Sequence, residues 1–256
     1  MLRSALHSIV IDMKEGVVLL KDAVVLVTGA NRGIGAAFVA QLKERGAAKI
    51  YAAARDATTV DVDGVQPIEL DITNPDQVRA AAGAVGDVKV LINNAGVSTG
   101  TSLMTGDLTS IEREMATNFY GPLETTRAFA PILAANGGGA ILNVISALSW
   151  STVPGAGAYS ASKAAAWSLT DTTRIELKAQ GTHVVGVHMG LVDTEMSRGV
   201  DGPKIAPAVL AAAGLDAIES GRTEVLADEW PTFVKSGLLL EPSERYQRIL
   251  AAFGVS

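Results

Sequence analysis

The stretch Val24-Val25-Leu26-Val27-Thr28-Gly29-Ala30-Asn31-Arg32-Gly33-Ile34-Gly35 decides the fold. An unbroken aliphatic run with no polar alternation reads as a strand buried on both faces. A turn with three glycines follows at once, after which Phe38, Val39 and Leu42 fall on one side of a helix. Glycines permit positive φ and close backbone approach, and the free N–H groups and dipole at a helix start attract a pyrophosphate. The spacing is Gly-x3-Gly-x-Gly, not the Gly-x-Gly-x-x-Gly of the commoner dinucleotide fingerprint. Taken alone, the glycines fit a tight structural turn as well.

Outward from this unit, short apolar runs alternate with helical patterns, the mark of βαβ units and a parallel sheet. Strands are expected at Val24 to Thr28, Lys49 to Ala53, Pro67 to Asp71, Val90 to Asn93, Ala140 to Val144, Val184 to His188 and Thr223 to Leu226. Helices are expected near 34–45, 75–84, 108–134, 157–179, 206–219, 229–237 and 242–252, with Pro75 and Pro207 at helix starts. The fold class is therefore α/β: a single-domain, Rossmann-type, doubly wound parallel sheet of about seven strands with helices on both faces. In such sheets ligands sit beyond the carboxyl ends of the strands, so the residues just after each strand are the candidates for function.

Composition narrows the rest. With 256 residues, 48% apolar and 19% charged, the chain can bury one sizeable core, and residues 22–256 are expected to form one domain behind an N-terminal extension, residues 1–21. Arg3, Leu6, Ile9, Val10 and Ile11 faintly resemble a secretory start, but Asp12, Lys14 and Glu15 interrupt the run, and residues 1–12 are expected to be dispensable. A net charge of -6 with scattered Lys and Arg disfavours nucleic acid and an anionic membrane as partners. Zero cysteines exclude disulfides and a thiolate nucleophile and suit a reducing, cytoplasmic setting. His7, His183 and His188 lack ligand spacing, so no metal is expected.

Cofactor choice is read after the second strand, at Ala52-Ala53-Ala54-Arg55. A carboxylate there would hold the adenosine ribose hydroxyls and repel a 2′-phosphate. None occupies Ala54, while Arg55, aided by Arg32, can pair with phosphate, so NADP(H) is expected over NAD(H). Two solvated surface arginines would read the same way.

Several blocks in order resemble the short-chain dehydrogenases/reductases of the short-subunit type: Thr28 to Gly35, Asp71-Ile72, Asn93-Asn94-Ala95-Gly96, Asn118, Ser146 and Tyr159-x3-Lys163, covering about residues 22–200. The resemblance implies a nicotinamide dinucleotide held by Gly29, Asn31, Arg32, Gly33, Ile34 and Gly35, by Arg55, Asp71 and Ile72, and by Asn94, Ala95 and Gly96. It further implies contacts from Tyr159, Lys163, Gly190, Val192 and Thr194. On physical grounds alone, Asp71 and Asn94 serve equally well as cap or turn residues.

The same resemblance implies the chemistry. Carbonyl reduction needs a proton at the oxygen as charge develops there, and Tyr159 is the expected acid/base. Lys163, one helical turn on, is expected to lower the tyrosine pKa; Ser146 to hydrogen-bond the substrate oxygen; Asn118 to hold a water that relays protons through Lys163. Isolated from their context, these four residues also read as a turn serine, a surface pair and a satisfied helix amide.

The chain departs from the family after the sixth strand, where Met189-Gly190-Leu191-Val192-Asp193-Thr194 has methionine in place of the usual proline, freeing a fixed φ. The segment 228–256 is also atypical, reading as a pocket wall, a subunit contact or another packed helix. A homo-oligomer is expected, a dimer rather than a tetramer. Residues expected near the reacting carbon are chiefly apolar: Val97, Leu148, Trp150, Val153, Met189 and Met196, with a substrate lid near 195–207. They point to a small hydrophobic ketone or aldehyde and its alcohol, and hence to a carbonyl reductase or secondary alcohol dehydrogenase. An NADP(H)-binding sensor on the same fold is the alternative. A cofactor-independent lyase or dehalogenase-like activity is a further one, which retention of Gly33, Gly35 and Lys163 disfavours.

Overall fold

Seven segments, most of them apolar, become the strands of one parallel sheet in the computed structural model, which describes residues 17–252. The expectation for residues 1–12 lies outside the described residues. The strands are β1 (Val24–Thr28), β2 (Lys49–Ala54), β3 (Gln66–Glu69), β4 (Val90–Asn93), β5 (Gly139–Val144), β6 (Thr182–His188) and, last in the chain, β9 (Glu224–Leu226). Their order is β3-β2-β1-β4-β5-β6-β9. The chain starts in the middle, runs outward to β3 and returns to β4, so the order reverses between β1 and β4. A crevice opens there at the carboxyl ends, where this Rossmann-type α/β architecture binds ligands.

Successive residues of a strand face opposite sides, and each side meets its own helical layer. Val25 and Val27 join Leu142, Val185 and Val187 against α1 (Gly33–Glu44) and α6 (Pro207–Ser220), whose Phe38, Leu42, Leu210 and Leu215 are fully buried. Leu26, Leu91, Ile141 and Val184 face the other way, onto Phe129 and Leu133 of α4 (Gly121–Ala135). On that side lie also α2 (Pro75–Ala84) and α5 (Gly157–Glu176). Two covered faces explain why the strands show no polar alternation. Asn74 caps α2 by accepting from the N–H groups of Asp76 and Gln77, and Pro75 and Pro207 stand in the first turns of their helices.

Two local features differ from the sequence reading. The helix expected over 108–134 is α3 (Leu108–Met115) and α4 joined by a π-helical turn, Ala116–Tyr120. Within the stretch 191–205, β7 (Leu191–Val192) and β8 (Lys204–Ile205) pair in parallel, Leu191 with Lys204 and Val192 with Ile205. Lys204 Nζ also donates to Ser197 O at 2.8 Å. The expected lid is therefore a loop stitched at both ends. Beyond β9, α7 (Glu229–Ser236) and α8 (Pro242–Ala252) complete the described chain.

A buried polar chain sets α4 and α5 against the sheet. Asn93 Nδ2 donates to Asn143 Oδ1 at 2.9 Å and to Thr126 Oγ1 at 3.2 Å, and Thr125 Oγ1 donates to Asn93 Oδ1 at 2.7 Å. Asn143 Nδ2 in turn donates to Thr170 Oγ1 of α5 at 2.9 Å. Each partner is at most 6% exposed, so each bond is made where water cannot replace it. Asn143→Val removes the central member and strands groups on both sides. It is expected to lower unfolding stability by about 2–4 kcal/mol, read from the urea midpoint.

Candidate active site

The site is assembled at the carboxyl ends of β1, β2, β4 and β5. Gly29 has φ +63°, and a Cβ there would lie 3.0 Å from the Cα of Ala95. A Cβ at residue 35 would lie 2.0 Å from Gly29 O. Three pieces of backbone thus meet at a distance that only glycine permits. Asn94 fastens them: its Nδ2 donates to Thr28 O at 2.8 Å and to Gly29 O at 3.1 Å, and its N–H donates to Thr28 Oγ1 at 3.0 Å. At the start of α1 the N-cap Arg32 makes no side-chain cap and the first turn holds no acidic residue. The N–H groups and dipole of a 12-residue helix are left for an anionic ligand.

A cleft of about 1220 Å³ runs over this floor. Of the residues expected to bind cofactor, Gly29, Asn31, Arg32, Gly33, Ile34, Arg55, Asp71, Ile72, Asn94, Ala95, Gly96 and Thr194 line it. Gly35 and Val192 are buried behind it. Arg55 is exposed on its wall, and Asp56 is occupied in accepting from the N–H and hydroxyl of Thr58. Arg32 does not stand free: it forms an ion pair with Glu195. Asp71 accepts from the N–H and hydroxyl of Thr73 at 2.9 and 2.7 Å. The glycine floor, the uncapped helix start and the exposed arginine fit the phosphates of a dinucleotide.

The residues expected to be catalytic meet behind Gly96. A Cβ on that glycine would lie 3.2 Å from Asn118 Oδ1 and 3.6 Å from Lys163 Nζ. Asn118, in the π-helical turn, accepts from Val97 N at 2.9 Å and donates to Val97 O and to Ser162 Oγ, both at 2.9 Å. Tyr159 stands in the first turn of α5. Lys163, one turn later, places Nζ 5.6 Å from the tyrosine ring centre and donates to Val144 O at 2.9 Å. Ser146, just past β5, is hydrogen-bonded to Tyr159 and accepts from Leu148 N at 3.1 Å.

Electrostatics differ from the sequence expectation. Protein packed around Tyr159 withholds water from a phenolate and pushes its pKa up to about 12, the hydrogen bond with Ser146 opposing and the Glu114 charge adding to the rise. Burial brings Lys163 down to about 8. Desolvation, not the neighbouring ammonium, therefore decides the tyrosine. It is held protonated at neutral pH, the form able to donate a proton.

Of the expected substrate-side residues, Val97 and Met196 line the cleft, and Leu148 and Val153 are partly exposed. Met189 is placed in the core on the α1/α6 face, 4% exposed. Trp150 stacks on His188 at 3.9 Å and meets Trp167 edge-on at 6.0 Å, 7% exposed in a cluster with Val234 and Trp230. Burial withdraws both side chains from the cleft. His188 accordingly is held near a pKa of 4 by burial.

Sequence reasoning passed over Thr59, Thr73, Ser110, Arg113, Thr117 and Asp193, all of which line the cleft. It also passed over Glu114, fully buried, whose Oε1 accepts from the N–H and hydroxyl of Thr99. No motif marks these positions, because loops distant in sequence bring them together. Among the described residues no cluster of three His, Asp or Glu could hold a metal, and no helix is long and apolar enough to cross a membrane.

The profile of the short chain dehydrogenase family matches residues 23–203. An uncharacterized oxidoreductase of Staphylococcus saprophyticus is 28% identical over 216 residues, 78% of this chain and 92% of that protein. Among solved structures, a short chain dehydrogenase from Burkholderia cenocepacia in complex with NADP superposes with TM-score 0.87 at 40% identity, covering 91% of this chain and 99% of that one. A short chain dehydrogenase/reductase from Burkholderia phymatum in complex with NAD shares the fold, with TM-score 0.76 at 24% identity over 87% of this chain and 96% of that one. With a matching profile over most of its length, a 40% identical short chain dehydrogenase of the same fold and a glycine-floored cleft with Asn118 and Lys163 behind its Gly96, the chain belongs to the short chain dehydrogenase family.

Proposed function

We propose that this oxidoreductase is an NADP(H)-dependent carbonyl reductase, or secondary alcohol dehydrogenase, acting on hydrophobic ketones or aldehydes. The observation that supports the reading is the meeting of Lys163 and Asn118 behind Gly96, a residue that lines the cleft. The cofactor, when bound, supplies or accepts the hydride. Ser146 donates a hydrogen bond to the substrate oxygen, and Tyr159 gives it a proton as charge builds up there. Lys163 steadies the phenolate that results, and Asn118 orders the polar groups between Val97 and α5.

The absence of a carboxylate at Ala54 and the exposed guanidinium of Arg55 on the cleft wall support NADP(H) over NAD(H). The NADP complex of the 40% identical Burkholderia cenocepacia protein agrees with this. Val97 and Met196 on the wall favour an apolar substrate. The same reading makes residues 22–256 one catalytic domain in a cytoplasmic homodimer.

NADPH oxidation over a panel of hydrophobic ketones tests the assignment. Tyr159→Phe is expected to cut turnover about 10²–10⁴-fold while NADPH still binds. Turnover undiminished in that variant would exclude tyrosine as the acid. Arg55→Asp is expected to weaken NADPH by about tenfold or more and NADH little, from a lost charge pair and a new repulsion. Gly35→Ala, which drives a Cβ into Gly29 O, is expected to weaken both dinucleotides together.

A pH profile provides a third measurement. Tyr159 stays protonated up to about 12, whereas Lys163 is cationic only below about 8. Ketone reduction is expected to hold steady at neutral pH and fall as the pH rises past the lysine value. A fall beginning well below neutrality would contradict this assignment.

A further inference from the structure

We infer that Asp228 is a positioning residue for the active site: its carboxylate holds the backbone at Gly190, from which the far wall of the cleft hangs. The inference rests on the reductase reading of that cleft.

Asp228 has two duties, one for each oxygen. Oδ1 accepts from Trp230 N at 2.9 Å and caps α7, an ordinary task for an aspartate at a helix start. Oδ2 accepts from Gly190 N at 2.8 Å, 38 residues away in sequence. A cap alone needs only one acceptor. The second bond reaches the residue where β6 has ended and the chain turns toward the cleft.

That residue is closely held. Ala227 N donates to His188 O and Ala147 N, next to Ser146, donates to Met189 O, both at 2.9 Å. The two residues Met189 and Gly190 are thus gripped from the Ser146 turn on one side and from the C-terminal segment on the other. A Cβ on Gly190 would meet Trp230 Cβ at 3.0 Å and Asp228 Oδ1 at 3.2 Å, so the backbone here is tightly packed against the C-terminal segment. Immediately beyond, Leu191 and Val192 pair with β8, and Asp193, Thr194, Glu195 and Met196 line the cleft.

Neither Met189 nor Gly190 fixes its own φ, so the position of this wall depends on outside anchors. A charged acceptor makes the stronger kind of hydrogen bond, and the amino-terminal end of α7 favours the carboxylate's charge. Asp228 sits beneath the wall without lining the cleft. It acts through Gly190.

Serine and asparagine cap helices about as well as aspartate, which allows the two duties to be separated. Asp228→Ser keeps a cap and is too short to span both donors. Asp228→Asn keeps the shape and loses one acceptor. NADPH is titrated into the full-length protein while the nicotinamide emission is followed, a readout that needs no substrate; ketone turnover and melting are measured in parallel. For Asp228→Ser we expect emission of bound NADPH to move at least halfway to the free value and kcat to fall about tenfold. Affinity should stay within about threefold, because the phosphate-binding floor is intact, and melting should shift by only a few degrees. Asp228→Asn should fall between.

Wild-type emission and kcat in Asp228→Ser would overturn the inference. So would a joint loss of affinity, turnover and melting temperature, which would make Asp228 a fold element only. A wild-type protein that binds NADPH but reduces no ketone of the panel would sink the reductase reading, and the emission series would still decide on Asp228. Absence of NADPH binding would overturn both.

Discussion

The amide of Asn93 is the constraint on which the rest of the molecule depends. It sits at the end of β4, 4% exposed, and its two polar atoms bind β5 and α4 at once. Through Asn143 the bonding continues to Thr170, two turns beyond Lys163 on α5. A helix packed on a sheet by apolar side chains alone can slide or rotate at small cost. A directional chain of buried amides and hydroxyls permits one arrangement, since any shift leaves a desolvated donor behind. That arrangement puts Tyr159 and Lys163 of α5 beside Ser146, which extends from β5. The geometry of the proposed site is inherited from core polarity.

The protein around Tyr159 and Lys163 withholds water from both. Both ionisable partners are moved toward neutrality by the protein around them, Tyr159 upward and Lys163 downward. In a hydrated setting they would differ by little, since both titrate near 10. Burial separates them by several units: the phenol keeps its proton while the amine is brought down to about 8. Glu114 adds to the separation from α3, where it is fully buried and accepts from the N–H and hydroxyl of Thr99, a residue of the cleft wall.

How much of this the sequence discloses depends on range. The inner strands of the sheet are legible because each is a local apolar run, whereas the edge strand β3 carries Gln66 and Glu69 and is mostly exposed; the glycine loop is legible because strand, turn and helix signals coincide within a dozen residues. Tyr159 and Lys163 are legible through their one-turn spacing. What escapes the sequence is set by contacts between distant segments. The β7–β8 pair is two residues a side, with no periodicity to detect, and follows from register between residues 191 and 204. The removal of Met189 and Trp150 from the cleft reflects competition from better burial elsewhere, which position in the chain does not reveal. The tyrosine shift has the same origin: an ammonium one turn away is visible in the sequence, the shell that excludes water is not.

The π-helical turn at Ala116–Tyr120 has a consequence for how this helix can change over time. Each α-helical residue advances the direction of its side chain by roughly 100°, so one added residue re-phases everything beyond it. Upstream, α3 presents Ser110 and Arg113 to the cleft; downstream, α4 presents Phe129 and Leu133 to the sheet. The wide turn between them works as a vernier. It lets the phase of the cleft-facing half be set separately from that of the core-facing half, so an insertion or deletion confined to this turn would re-aim Ser110 and Arg113 while the core kept its register.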